Sequence, residues 1–461
     1  MTETRRTRGR LSRGQALAWL DRRLNYERVS PAVGTFAPDR VRRLLEAIGS
    51  PQATVPVVHV AGTKGKGSTV AMIASVLGEA GYRVGRYLSP HVHRIEERIE
   101  VAGRPIGAAA LTAAFATVMP AVEALDRAEA QRDARGPTWF EVLTAVALLH
   151  FSRSRVDVAV LETGLGGRLD ATNVTQPVLS VITSISLDHM AVLGATIGRI
   201  ATEKAGIIKR GVPVVSGAVH PSARRVIRAV AASRRAPLLE LGRDFSVTAS
   251  TVPRGRDTFG LPVARVTLPR SLAGGGSTTT DYELGMAGRH QAENAALAVV
   301  AVRRLAAAGF RIPERAIAAG LRRTRLPARI EVVRRRPLVV VDAAHNAASM
   351  RALVETLAPL LDAHRPRVLV FAASGDKQIE RMLRQAAGRF DHVIVTRYET
   401  NPRAAPVERL RTACRTVGID AVETARSPAA AVARGRRIAG PDGLVCVAGS
   451  FFLAAEIGRR G

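Results

Sequence analysis

The sequence predicts an α/β protein built on mostly parallel sheets, with a larger N-terminal and a smaller C-terminal domain. Three observations carry that expectation. Short β-rich runs alternate with amphipathic stretches almost from end to end, the pattern of parallel α/β domains. At 461 residues the chain is too long for one ordinary core. A proline-bearing, arginine-rich stretch, "RTRLPARIEVVRRRP" (323–337), separates two such alternating series. The expected domains are residues 1–328 and 329–461.

In the first series, "VPVVHVAG" (55–62) reads as a buried strand and "STVAMIASVLGEAG" (68–81) as a helix closing on a C′ glycine. Strands follow at "VDVAVLETG" (156–164), "VLSVITSIS" (178–186) and "VPVVSG" (212–217). The stretch 244–286, richer in Thr, Gly and Pro, reads as β-hairpins or loops. The second series runs "LVVVDAAHN", "RVLVFAAS", "DHVIVTRY" and "GLVCVAGS", with helical segments between. The opening "MTETRRTRGRLSRG" reads as a disordered basic tail.

Composition narrows the function classes. A net charge of +29 would suit a nucleic-acid binder, but aromatics make up only 4% of the chain and its arginines are scattered. Stacking platforms are therefore scarce, and nucleic acid is not the expected partner. Cys414 and Cys446 alone make neither a disulfide framework nor a thiolate zinc site. The basic N-terminus is not followed by the apolar core of a secretory signal. No uninterrupted run of about 18 apolar residues is evident. The longest candidate, "AALAVVAVRRLAAAG", is broken by Arg303 and Arg304. A soluble, cytoplasmic protein without a membrane partner is expected.

The chemistry begins at "HVAGTKGKGSTV" (59–70). Only five of the 68 basic residues are lysine, and two stand here. A strand, a glycine-rich loop and a helix in that order make a phosphate loop, here Gly62, Thr63, Lys64, Gly65, Lys66, Gly67 and Ser68. Glycines let backbone N–H groups approach phosphate oxygens, and the helix N-terminus adds positive potential. Lys66 would reach the terminal phosphates, and the Ser68 hydroxyl would lie near magnesium. A slim ammonium fits among backbone amides where a planar guanidinium does not. The spacing, Gly-x-x-Gly-Lys-Gly-Ser, is not the commoner Gly-x4-Gly-Lys-Ser/Thr.

At this loop the chain resembles the Mur-ligase superfamily, and within it folylpolyglutamate synthase/dihydrofolate synthase. The resemblance runs through "LNYERV", "HVAGTKGKGST", "SPHVHRIEERI", "TWFE", "LETGLGGRLDATNV", "SLDHMAVLG", "EKAGIIK", "GRHQAENA", "PARIEVV", "DAAHN", "SGDK" and "AGSFFL", in that order. It implies an N-terminal Mur-ligase-type ATPase domain and a C-terminal Rossmann-like glutamate-ligase domain. The implied reaction is amide formation: ATP phosphorylates a carboxylate, and the amine of L-glutamate attacks the acyl phosphate. The acceptor would be dihydropteroate, a reduced folate, or both. ATP is thus the co-substrate, Mg²⁺ the cofactor, and a monomer is expected.

By the same resemblance, Ser89, Glu162 and His189 join Ser68 as metal positions, and Lys204 and His189 join Lys66 in catalysis. Lys204 would be carbamylated, a reaction open to a primary amine that can lose its proton and closed to arginine. Asn294, Arg329 and Asp342 would bind ATP, with His345 near the nucleotide. "GGRLDATN" (166–173) would hold the pteroate end, through Asp170 flanked by Leu169 and Ala171. The family usually has Gly at Ala328 and Ala343, Pro at Ala347 and Asp at Gln378, departures that concern ATP and glutamate geometry. Three other readings remain. A monofunctional folylpolyglutamate synthase is one. A ligase for nucleotide-linked muropeptides is another, for which the 61 residues before Gly62 are too few to build a UDP-binding domain. The third is a non-catalytic nucleotide- or nucleic-acid-binding module.

Overall fold

The computed structural model describes residues 11–29, 38–131, 134–252, 261–268 and 278–458. Most of the basic tail expected at the N-terminus lies outside the described residues. The first sheet contains β1 (Val57–Ala61), β2 (Val84–Tyr87), β3 (Ile99–Val101), β4 (Arg104–Pro105), β5 (Val158–Glu162), β6 (Pro177–Ile182), β7 (Val214–Ser216) and β8 (Leu238–Glu240). Their order is β4-β3-β2-β5-β1-β6-β7-β8, parallel from β2 to β8, with β3 and β4 antiparallel at one edge. β1 and β5 are buried at every residue, which is why they read as unbroken apolar runs rather than alternating ones.

Helices cover both faces: α1 (Arg13–Asp21), α2 (Pro38–Ala47), α3 (Lys66–Glu79), α4 (Ala108–Ala130), α5 (Trp139–Arg153), α6 (Met190–Leu193), α7 (Ile197–Ala205), α8 (Pro221–Ser233), α9 (His290–Ala307) and α10 (Glu314–Arg323). The pleat of β1 sends Val58 and Val60 into a core with α3 and α9, and Val57 into a second core with α4 and α5. By length and composition α4 is apolar enough to cross a membrane, a stretch the sequence reading passed over. It buries one stripe, Leu111, Ala114, Phe115, Val118 and Val122, in the second core.

The stretch read as hairpins or loops forms an antiparallel sheet of β9 (Ser246–Val252), β10 (Leu261–Leu268) and β11 (Thr278–Glu283). The third sheet has β12 (Glu331–Arg335), β13 (Leu338–Val341), β14 (Arg367–Phe371), β15 (His392–Val395), β16 (Val422–Thr424) and β17 (Leu444–Ala448), in the order β12-β13-β17-β14-β15-β16. Only the β12 edge is antiparallel. Around it lie α11 (Ala347–Ala363), α12 (Ile379–Arg384), α13 (Val407–Thr416), α14 (Pro428–Ala439) and α15 (Phe451–Gly458). The architecture is α/β with a large, mainly parallel sheet and a separate smaller one, as expected.

Register positions the site. Val60 pairs with Glu162, and Ala61 with Ile182. The carboxyl ends of β1, β5 and β6 are therefore level, and the loops after them converge where open α/β sheets bind ligands.

Candidate active site

The loop from Gly62 to Ser68 joins β1 to α3. Gly65 is the helix N-cap at φ +85, and no side chain caps the helix there. The first-turn N–H groups thus face the loop together with the positive end of the helix dipole. A Cβ at position 65 would stand 2.1 Å from Asn294 Oδ1, so glycine is what lets α9 bring Asn294 against the loop. On the other side the end of β6 clamps it. Thr63 N donates to Ser184 O at 2.7 Å, and Thr183 Oγ1 donates to Lys64 O at 2.7 Å.

Lys66 Nζ lies 3.8 Å from Glu162 Oε1, beyond hydrogen-bond reach. Ser89 N donates to Glu162 Oε2 at 3.1 Å. Burial pushes the Glu162 carboxyl up, against the charge of Lys66 and the Ser89 amide. A buried carboxylate with one distant ammonium and one amide suits a divalent cation that keeps its waters and phosphate oxygens. Among the described residues no group of three or more His, Cys, Asp or Glu side chains forms a metal cluster. His189 is not drawn to Glu162: half-exposed at φ +49, it meets Asp188 at 3.9 Å.

Lys204, on α7, is buried and donates Nζ to Gly62 O at 2.7 Å. Burial, then the charge of Lys66, pulls its pKa down to about 7. Lys64 reaches in two directions: Nζ is 2.9 Å from Asp188 Oδ2 and 3.4 Å from His345 Nε2. His345 Nδ1 bonds Ala343 O at 2.9 Å, so Nδ1 carries the proton and Nε2 offers its lone pair to Lys64. Burial and the Lys64 charge hold that imidazole neutral, with its pKa down to about 3.

Arg329 lies between two residues in the left-handed region, Ala328 at φ +53 and Ile330 at φ +51. For a β-branched residue this is a real outlier, and such strain persists only where neighbours hold it. Asp342 does so: its Oδ2 accepts from Ile330 N at 2.8 Å and its Oδ1 from Ala344 N at 2.7 Å. The Arg329 guanidinium stacks 4.8 Å from the Phe451 ring centre, and the same ring packs on His345 at 5.7 Å.

In the loop after β5, Gly167 packs on α7, where a Cβ would stand 2.9 Å from Glu203 O. Arg168 N donates to Glu203 O at 2.7 Å. Asp170 is buried and turned inward. Its Oδ2 accepts from Leu165 N at 2.9 Å, and its Oδ1 from Thr172 N at 3.0 Å and Thr172 Oγ1 at 2.6 Å. Leu169 is half-buried, and Ala171 is buried at the start of a 3₁₀ turn.

The Mur ligase middle domain matches residues 60–302, and the Mur ligase glutamate ligase domain matches residues 328–451. The chain belongs to the Mur ligase family. Among its relatives, the dihydrofolate synthase/folylpolyglutamate synthase of Bacillus subtilis (strain 168) is 39% identical over 80% of this chain and 81% of its own. That of Mycobacterium tuberculosis is 37% identical, over 88% of this chain and 82% of its own. The crystallised folylpolyglutamate synthase of M. tuberculosis, complexed with ADP, aligns at a TM-score of 0.84 and 34% identity, covering 97% of each chain. This Mur ligase is therefore an ATP-dependent ligase of the folylpolyglutamate/dihydrofolate synthase kind.

Against the family pattern its departures divide. Ala328 occupies a left-handed position where glycine would be unstrained. Ala347 is the first residue of α11, a place that suits proline and equally admits alanine. Gln378 stands at the N-cap of α12 without capping it. Ala343 is buried outside the left-handed region and needs no glycine. Sequence reasoning missed Asp188, although it stands beside His189 in "SLDH", and Phe451, although it lies in "AGSFFL".

Proposed function

We propose that this ligase uses ATP and Mg²⁺ to add L-glutamate both to dihydropteroate and to the glutamate tail of reduced folates. The observation that carries the reading is the uncapped N-terminus of α3 with Lys66 and Glu162 beside it. That arrangement combines a phosphate cradle, a cation for the transferred group and a carboxylate for the metal. When bound, Mg²⁺ would be held by Ser68, Ser89, Glu162 and, on reorientation, His189, and would neutralise phosphate charge. The acceptor carboxylate oxygen attacks the terminal phosphorus of ATP, ADP leaves, and the glutamate amine then displaces phosphate from the acyl carbon. Lys66 and the α3 amides bind the phosphates. Asn294 approaches the nucleotide from α9, and Arg329, Asp342 and His345 do so from beyond residue 328.

The domain division at 328/329 is part of the proposal, supported by β12 pairing only within the six-stranded sheet. So is the carbamylation of Lys204, supported by a buried amine whose pKa is brought down to about 7. Residues 164–173 form the acceptor loop, with Asp170 shaping it from within. The enzyme acts as a cytoplasmic monomer. A purified-enzyme assay with ATP and glutamate, comparing dihydropteroate with tetrahydrofolate, tests the reading. Turnover with both is expected. Turnover with neither overturns it, and turnover with tetrahydrofolate alone reduces it to a monofunctional synthase.

A further inference from the structure

We propose that His59 is a positioning residue for the acceptor loop, acting through Thr172 on Asp170. The inference rests on the reading of residues 164–173 as that loop. His59 lies on β1, three residues before the phosphate loop, and is fully buried. Its Nε2 is 2.7 Å from Thr172 Oγ1, which is itself 2.6 Å from Asp170 Oδ1. Proton bookkeeping fixes the direction of this chain. Burial pushes the Asp170 carboxyl up, but the backbone N–H groups of Leu165 and Thr172 donate to it and favour the carboxylate, which is an acceptor. The Thr172 hydroxyl has one proton, which goes to Asp170, so it must accept from His59. The imidazole is therefore the Nε2–H tautomer.

That tautomer leaves Nδ1 with a lone pair, and among the described residues this atom has no hydrogen-bond partner. An orphaned buried acceptor is a cost that an aliphatic side chain of similar volume would avoid. The position accepts it for the sake of the Nε2–H donor. A second tie holds the same segment: Lys209 Nζ donates to Asn173 O at 3.0 Å. Burial, and then the Lys209 charge, disfavour a proton on His59 and keep the imidazole neutral. The loop is thus oriented from β1 through Thr172 and Asp170 and anchored to α7 through Arg168.

Two substitutions of equal polarity separate positioning from filling. In His59→Gln the amide nitrogen reaches about as far as the imidazole Nε2, whereas in His59→Asn it stops near Nδ1. His59→Asn should raise the KM for the pteroate or folate acceptor about fivefold, the worth of one buried hydrogen bond, with the KM for ATP unchanged. His59→Gln should restore it. Once Thr172→Val is present, His59→Asn should add nothing further to the acceptor KM. The proposal is overturned if Asn and Gln behave alike, if both KM values move together, or if the two substitutions add. Asp170→Asn, measured beside them, separates the two readings. If it leaves the acceptor KM unchanged, the loop reading and this inference both fall. If it raises that KM while His59→Asn does not, this inference alone falls.

Discussion

Lys204 Nζ donates to the carbonyl oxygen of Gly62 at 2.7 Å, tying α7 to the first residue of the phosphate loop. The bond is compatible with a carbamate, because a carbamylated Nζ keeps one N–H for Gly62 while losing its positive charge. With the pKa brought down to about 7 by burial and by Lys66, a large share of the amine is free to meet CO₂ at neutral pH. Lys204→Arg keeps the cation and removes that reactivity. It should lose glutamate-dependent turnover and retain ATP binding, measured by calorimetry. The free amine exists above its pKa, so bicarbonate should stimulate the CO₂-depleted wild type more at pH 8 than at pH 6. A fully active arginine variant defeats the idea.

Lys66→Ala should cut ligase turnover about a hundredfold with the fold intact by circular dichroism. Removing a preorganised cation from developing phosphoryl charge costs about 3 kcal/mol, or two orders of magnitude in kcat. It also leaves the buried Glu162 carboxylate without its nearest ammonium. Near-normal kcat in the purified variant would remove Lys66 from the phosphate role.

Lys64 spans the proposed domain division, with Asp188 on one side and His345 on the other. Its ammonium is partly exposed, so solvent screening limits the pair with Asp188 to about 1 kcal/mol. Lys64→Met should therefore weaken ATP binding by less than tenfold and spare kcat far more than Lys66→Ala does. A double-mutant cycle with His345→Gln should show coupling in ATP affinity. Strict additivity would mean that the contact does not link the two sides.

The phosphate loop was legible because each part of it has a local signal: an apolar run, glycines, a lysine and a hydroxyl in order. The order of β1 beside β5 and β6 was not, since parallel neighbours are chosen by crossover connections rather than by adjacent residues. Asp188 therefore comes to Lys64 from 124 positions away without any motif linking them. The strained turn around Arg329 was equally hidden. Alanine and isoleucine carry no mark of a left-handed backbone, and the Asp342 carboxylate that holds it lies on the far side of a hairpin. Asp170 was legible as a motif residue, but its inward orientation was not, since the Thr172 hydroxyl it accepts from is met by a histidine 113 positions away on β1.

Gln378→Asp should stabilise the C-terminal sheet region. Gln378 stands at the N-cap of α12 with no side chain capping that end, and its own Oε1 meets Arg381 instead. A shorter carboxylate at the N-cap can accept from the first-turn amides, a gain of about 1 kcal/mol. The midpoint of chemical denaturation should rise for the transition that includes α12. An unchanged or lower midpoint would show that the local backbone does not admit a cap.

The buried imidazole of His59 links stability to pH in a definite direction. Burial, aided by the charge of Lys209, brings its folded-state pKa down to about 3, from an ordinary value of about 6.5. Between those values the unfolded chain binds the proton and the folded one does not. Its contribution is thus complete above about pH 6.5 and is lost as the pH falls towards 3, by at most about 1.4 kcal/mol per pH unit. His290 and His345 are also depressed, to about 4 and about 3, and act in the same window. His59→Gln should therefore reduce the acid slope by one proton without removing it. Denaturant titrations at pH 7, 6 and 5 would show the difference as a shallower fall in unfolding free energy for the variant. Parallel curves for wild type and variant would mean that His59 takes up its proton inside the fold.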